Sequence, residues 1–373
     1  MAETILVTGG AGFIGSHLVD RLVSAGHHVR VLDSLEPQVH GDSEGHRNDE
    51  AEYLVGTVLD ANAVDHALEG VDRVAHLAAQ VGVGQSMYDL QRYVRDNCLG
   101  TAVFLERLAE RRDRIGSLVV AASMSSYGEG LYFCPSCGAN RPVERTLEQL
   151  KEQRWEPVCR VCGTVAEARP TPESKPLECD SVYAVTKRDQ EELCLCMGRA
   201  YSIRTVALRF FNVYGPRQSL SNPYTGVAAI FLGRLLNDAA PLVFEDGQQS
   251  RDFVHVSDIT RAIELSLFSA EVADVKVNIG TGTGTSVLEV ARTLAEQLEV
   301  EAEPEIVSRF RHGDIRHCFA DISLAREVLD FEPQVSFADG MRELIEWTRA
   351  TTPPAEDRVE AMRDELASRG LVL

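Results

Sequence analysis

The chain has 373 residues, 44% of them hydrophobic, and a formal net charge of -20. That length suits one large domain with an attached lobe, and the acidity leaves no basic footprint for nucleic acid backbones. No apolar run reaches eighteen residues and no charged-then-apolar leader precedes the first strand pattern, so the expectation is a cytoplasmic protein without a membrane partner. The cysteine count, nine, is odd, and four sit in two C-x-x-C pairs. That favours a metal site in a reducing compartment over a disulfide framework.

Ile5-Leu6-Val7 reads as a buried parallel strand. Gly9, Gly12 and Gly15 interrupt it, and a helix with Ile14, Leu18, Leu22 and Val23 follows. Glycines there let the backbone turn tightly and bring a pyrophosphate to the helix start at Phe13 and Ile14. The spacing, G-x-x-G-x-x-G, departs from the commoner G-x-G-x-x-G, and by itself it is a weak signal. Its context strengthens it. A second strand from His28 to Leu32 ends at Asp33, where a carboxylate would take the adenosine ribose hydroxyls and disfavour the extra phosphate of NADP.

A polar stretch, Pro37 to Asp49, is expected to be exposed. Tyr53-Leu54-Val55 then runs into Asp60, which suits either the adenine amino group or the N-cap of a helix from Ala61. Arg73 to Ala79 is the next buried strand, and Leu77, Ala78 and Ala79 end where a nicotinamide would pass. Asn97 is expected to open a helix from Cys98 to Arg111, with Leu105 and Leu108 on its apolar face. Leu118 to Ala122 is a further strand, running into Ser123.

The alternation then stops for about forty residues. Cys134-Pro-Ser-Cys137-Gly and Cys159-Arg-Val-Cys162-Gly fall in this gap. Pairs of thiolates on tight turns, each followed by glycine, suit a tetrahedral Zn²⁺ held by Cys134, Cys137, Cys159 and Cys162. A redox pair would begin a helix beside a strand, and neither does. A nucleic-acid zinc ribbon conflicts with the acidity. A structural knuckle remains, its folding energy supplied by the metal.

Past the gap, Tyr183 and Lys187 lie four apart on a helix face. An ammonium one turn away favours a phenolate, so the pair could serve as acid–base near neutral pH. Ser123 could share a hydrogen bond with the same substrate oxygen. The resulting divisions are a dinucleotide-binding segment 1–130, the cysteine insertion 131–172, a continuation 173–215, and a mainly substrate-binding lobe 216–350. Residues 251–282 return to the first domain. The tail, 351–373, has Val359, Met362 and Leu366 at helical spacing.

Gly9/Gly12/Gly15, Asp33, His76-Leu-Ala-Ala79, Asn97, Ser123, Tyr183/Lys187, Asn212, Gly215-Pro-Arg217 and Arg251-Asp-Phe-Val-His255 together resemble the extended short-chain dehydrogenase/reductase family. Within it they are similar to the NAD-dependent nucleotide-sugar epimerases and dehydratases. The resemblance implies an α/β Rossmann-type doubly wound parallel sheet and a smaller C-terminal lobe closing over a nucleoside diphosphate sugar. It implies tightly held NAD, with Asn97 near it, and a homodimer built from the helices after Asn97 and Tyr183. By the same resemblance Tyr183 is the base, Lys187 binds the nicotinamide ribose, and Ser123 orients the sugar hydroxyl. Asn212, Arg251 and Arg311 would meet the diphosphate, Arg311 through Arg311-His-Gly-Asp314, which is similar to R-P-G-D. Gln80, Gly84, Ser125, Arg217 and Asp314 complete the expected substrate contacts.

Departures from the family pattern narrow the reaction. The 4,6-dehydratases carry Asp-Glu after the strand-end hydroxyl, where this chain has Met124-Ser125. Uronic-acid epimerases carry an arginine in the next loop, where this chain has Gly84. A neutral or 6-deoxy sugar and a 4-epimerase follow, with a 4-keto-sugar reductase, a uronic decarboxylase or a silent scaffold as alternatives. The stretch Val81 to Met87 with the cysteine insertion is similar to bacterial dTDP-L-rhamnose 4-epimerase-like proteins.

Overall fold

A computed structural model describes residues 2–40, 45–219, 226–310, 314–351 and 368–369. Strands β1 (Thr4–Thr8), β2 (His28–Asp33), β3 (Glu52–Val55), β4 (Arg73–His76), β5 (Ser117–Ser123), β6 (Arg204–Phe210) and β7 (Val275–Ile279) form one sheet. Their order is β7-β6-β5-β4-β1-β2-β3, and every neighbouring pair is parallel. The strand order reverses between β1 and β4, so the crevice beyond their carboxyl ends is where such a sheet takes a ligand.

Both faces of the sheet are covered, which is why its strands are continuous apolar runs rather than alternating ones. Ile5 and Val7 pack with Leu18 and Leu22 of the helix Phe13–Ser24 and with Ile259 and Ile263 of Val256–Phe268. Leu6 points the other way, into Val64, Phe104, Leu105 and Leu195. Each such fully buried side chain contributes roughly 1.5–3 kcal/mol. Between the layers lies a polar knot. Arg209 on β6 makes two hydrogen bonds to Glu191, 2.6 and 2.8 Å, and one to the Tyr127 hydroxyl, which donates to Asn278.

The segment after β4 differs from expectation. A short helix, Val83–Ser86, comes first, the helical run that carries Asn97 starts at Leu90 and not after Asn97, and Asn97 sits inside a π-helical turn, Val94–Leu99, ahead of the α-helix Gly100–Ala109. The Asn97 side chain is engaged with Gln80 and Thr186 rather than with the amides of a helix start. The lobe packs Val227–Leu236, Val287–Leu298 and Phe337–Thr351 around their own core of Phe231, Leu294 and Leu344. Ala325 and Leu329 of the helix Ser323–Leu329, with Phe331, pack with the sheet's core. The insertion holds a small antiparallel sheet of Leu131–Cys134, Ala139–Asn140 and Glu167–Arg169, an antiparallel pair of Val143–Glu144 with Val158–Cys159, and the short helix Leu147–Lys151. The tail positions Val359, Met362 and Leu366 lie outside the described residues. Among the described residues no helix is long and apolar enough to cross a membrane.

Candidate active site

The first turn explains its glycines. An added Cβ at Gly15 would sit 2.1 Å from the Gly9 carbonyl oxygen, so only glycine allows the helix to start this close to β1. The helix N-cap, Gly12, offers no side-chain cap, which leaves the amides of its first turn without an intrahelical acceptor. The Asp33 carboxylate accepts from the amides of Ala11 and Leu35, at 3.0 and 2.9 Å, and so braces the turn. Above it opens a cavity of about 540 Å³, lined by Gly9, Gly12, Phe13, Ile14, Gly15, Asp33, Leu77, Ala78, Ala79, Gln80, Ser123, Tyr183 and Lys187. A helix start with free amides, a close-approach glycine and a carboxylate at the end of β2 fit a dinucleotide.

At the deep end, β5 delivers Ser123 and the helix Val182–Tyr201 delivers Tyr183 and Lys187. Ser181 caps that helix through the Ala184 amide, and the Tyr183 amide donates to Ser86 Oγ at 3.0 Å. Ser123 Oγ accepts from the hydroxyl and the amide of Ser125 and sits close enough to Tyr183 to favour its phenolate. The electrostatics correct the simple expectation of an acidic phenol. Burial pushes the Tyr183 phenol up, and only the nearby Ser123 hydroxyl opposes it. Burial also brings the Lys187 ammonium down to about 8. Lys187 Nζ is turned to Gln190 Oε1, 2.7 Å away, and Gln190 donates on to Ala78 O and Thr101 Oγ1. Desolvation therefore outweighs the one-turn charge effect in this arrangement.

Several expected contacts lie elsewhere. Asp60 caps the helix Ala61–Ala67 through the Asn62 amide at 2.9 Å, and the cavity is lined instead by its neighbours Val58 and Leu59. Asn97 is fully buried behind the wall, where it takes the Gln80 amide at 2.6 Å and holds Gln80 rather than a ligand. Gly84 and Ser125 do not line the cavity. Arg217 pairs with Asp20 on the first helix at 2.7 Å, because the Gly-Pro-Arg segment folds back onto that helix, where His17 bonds Pro216 O. Arg251 and Asp314 pair with each other at 3.5 Å on the lobe side, off the cavity wall. Asn212 follows Phe210 and Phe211, which line the cavity, and its Oδ1 is buried without a partner. Arg311 lies outside the described residues.

Sequence reasoning missed Gln190, Ser86 and the two wall residues Val39 and His40. Gln190 was legible as the next residue on the face of Lys187, three positions on. Val39 and His40 were hidden in a stretch read as polar and exposed.

In the insertion the four sulfurs lie within 4.8 Å of one another. Individual separations are 3.4 Å (Cys134–Cys162), 3.6 Å (Cys137–Cys162) and 4.0 Å (Cys137–Cys159). Sulfurs at tetrahedral corners about 2.3 Å from an ion stand about 3.8 Å apart, whereas a disulfide needs about 2.05 Å. The two turns match: Cys134 and Cys159 sulfurs accept the amides of Cys137 and Val161, and Gly138 and Gly163 close each turn with φ of +63° and +72°. The donor set fits a metal ion.

The chain matches the model of the NAD dependent epimerase/dehydratase family over residues 5–147 and that of GDP-mannose 4,6 dehydratase over 160–344. It is 34% identical to a dTDP-L-rhamnose 4-epimerase of Burkholderia thailandensis, over 92% of this chain and 94% of that one. Its fold is similar to UDP-glucose 4-epimerase of Thermotoga maritima with UDP-glucose, TM-score 0.77 at 30% identity, over 93% of this chain and 99% of that one. It is also similar to UDP-glucuronic acid 4-epimerase of Bacillus cereus in complex with UDP-glucuronic acid and NAD, TM-score 0.75 at 26% identity, over 93% and 99%.

Proposed function

The chain belongs to the NAD-dependent epimerase/dehydratase family, and from that premise we propose that it is a nucleotide-sugar 4-epimerase for a neutral or 6-deoxy hexose, with dTDP-L-rhamnose the first substrate to test. The observation that carries the reading is one cavity shared by the glycine turn, Asp33 and the Ser123–Tyr183–Lys187 group. NAD bound there supplies a two-electron acceptor that later returns what it took. Tyr183 removes the proton of the sugar's 4-hydroxyl, and Ser123, beside the phenol, orients that hydroxyl. Lys187 would hold the nicotinamide ribose, and the positive charge of the oxidised dinucleotide, when bound, would work against the burial that raises the phenol. The 4-keto sugar would turn over in the pocket, so that the hydride taken from C4 would come back to the other face of that carbon while Tyr183 returns the proton to its oxygen. Asp33 favours NAD over NADP by like-charge repulsion. Asp60 stays a candidate for the adenine side. Asn212, Arg251 and Arg311 are the candidates for the diphosphate.

Met124 and Ser125 offer no acid–base pair for eliminating water, which supports epimerisation over dehydration. Gly84 offers a C6 carboxylate no cation, which supports a neutral sugar. The four cysteines hold one structural zinc per chain in this reading, and a reducing cytoplasm keeps them as ligands. Exposed Leu90, Val94 and Leu99 and, on the neighbouring helix, Val185 support a homodimer through these helices. The deciding experiment incubates purified protein with dTDP-L-rhamnose, without added cofactor, and follows C4 inversion by NMR. Inversion without net NADH use supports the epimerase. Stoichiometric NADH consumption with a 4-keto sugar would make it a reductase, and inactivity on every neutral nucleotide sugar would refute the assignment. Elemental analysis finding no zinc in protein purified without chelators would remove the metal claim.

A further inference from the structure

The insertion is fastened to the lobe strand that also holds Arg251. Arg145 pairs with Glu245 at 2.6 Å and donates to the carbonyl oxygen of Asp314. Glu156 accepts from Arg316 Nη2 and Nε, at 2.5 and 2.9 Å, and lies 3.1 Å from His317 Nε2. Tyr132, two residues before Cys134, accepts the His317 amide at 3.1 Å. Leu150 and Trp155 pack on Phe310. On the other side of residues 314–317, the Arg251 guanidinium donates to the carbonyls of Ile315 and Arg316 and sits 3.5 Å from the Asp314 carboxylate. One short stretch of backbone thus takes its position from the insertion and passes it to Arg251.

The arrangement is stiff where it matters. Arg316 is 1% exposed and also pairs with Glu245 and Asp246, so the insertion's buried Arg145 and half-exposed Glu156 join an ion network centred on buried Arg316 and Glu245. Within the insertion the apolar cluster of Tyr132, Val143 and Ala166 is small, too little to hold Arg145 and Glu156 in place without a metal clip. Arg251 adjoins Asp252, whose carbonyl takes the Asn212 amide at 2.8 Å, beside the unpartnered Asn212 Oδ1. No insertion residue lines the dinucleotide cavity.

We propose that the metal-loaded insertion positions Arg251 for the diphosphate of the nucleotide sugar, through Arg145 and Glu156. Metal at the four cysteines is then coupled to nucleotide-sugar affinity and not to dinucleotide retention. This deepens, and rests on, the nucleotide-sugar reading above. Coupling of this kind is reciprocal, so bound nucleotide must slow zinc loss as zinc strengthens nucleotide binding.

The test titrates dTDP and UDP by calorimetry into full-length protein with its copurified dinucleotide, scoring zinc and dinucleotide content in each sample. Arg145→Met and Glu156→Gln are expected to keep both zinc and dinucleotide while binding dTDP or UDP roughly 5- to 150-fold more weakly. Cys137→Ser is expected to lose zinc and weaken nucleotide similarly. Arg145→Met combined with Arg251→Met should bind no worse than Arg251→Met alone, since both act on one contact. In the native protein, saturating dTDP should slow zinc transfer to a chelator. Native-strength nucleotide binding by the zinc-loaded variants, additive losses in the double variant, or dinucleotide loss alongside nucleotide loss would each overturn the proposal. Failure of the native protein to bind either nucleoside diphosphate would instead sink the nucleotide-sugar reading, and this coupling with it.

Discussion

The buried histidine at the end of β4 makes a quantitative case. His76 is 1% exposed, its Nδ1 lies 2.8 Å from Thr8 Oγ1 and its Nε2 lies 3.0 Å from Thr101 Oγ1. Its ring stacks on Phe104 at a centroid distance of 4.7 Å. Burial, and then the charge of Lys187, hold the imidazole down to about 3 from 6.5. The unfolded chain takes that proton near pH 6.5, so below this value it binds more protons than the folded state and stability falls with falling pH. At about 1.36 kcal/mol per unit, the loss from His76 between pH 6.5 and 4.5 is roughly 2–3 kcal/mol, and about 4–5 kcal/mol by pH 3. His17, lowered to about 4 by burial, adds to the same acid loss, so the comparison must be with a variant. Urea unfolding of the native protein and of His76→Asn at pH 7, 5.5 and 4.5 separates the contribution. His76→Asn is less stable at pH 7, through lost volume and a lost hydrogen bond, but the gap should narrow by roughly 2–3 kcal/mol at pH 4.5. Parallel curves across that range would refute the reasoning.

Gly15→Ala puts a methyl 2.1 Å from the Gly9 carbonyl oxygen and should abolish copurification of dinucleotide, read by ultraviolet absorbance and chromatography of the released cofactor. Native dinucleotide content would contradict the role given to the turn. Tyr183→Phe should lower turnover by about 10²–10⁴-fold while leaving dinucleotide bound, since only the proton transfer is lost. Arg209→Met leaves the fully buried Glu191 with only Lys276, 3.4 Å away, and should cost roughly 3–5 kcal/mol in urea unfolding, with Arg209→Met/Glu191→Met recovering much of it. A double variant no more stable than the single would show that the pair's charge is not the issue.

By itself the sequence determined the parallel sheet, the glycine turn with Asp33 behind it, and the two cysteine knuckles. These are local: a strand buried on both faces must be an apolar run, a close approach must be glycine, and a knuckle needs two thiols and a turn. The residues of the deep end were legible too, because Tyr183 and Lys187 share a helical face. What only the tertiary structure decided was which polar groups are spent on the protein itself. Asn97 looks like a helix start until Gln80 and Thr186 are brought to it, and Arg217 looks like a ligand's partner until Asp20 takes it. The insertion's hold on residues 314–317 joins positions more than 150 apart in the chain. A short polar side chain or an arginine serves many partners equally well, so its role follows from whichever group the folded chain places within hydrogen-bond reach.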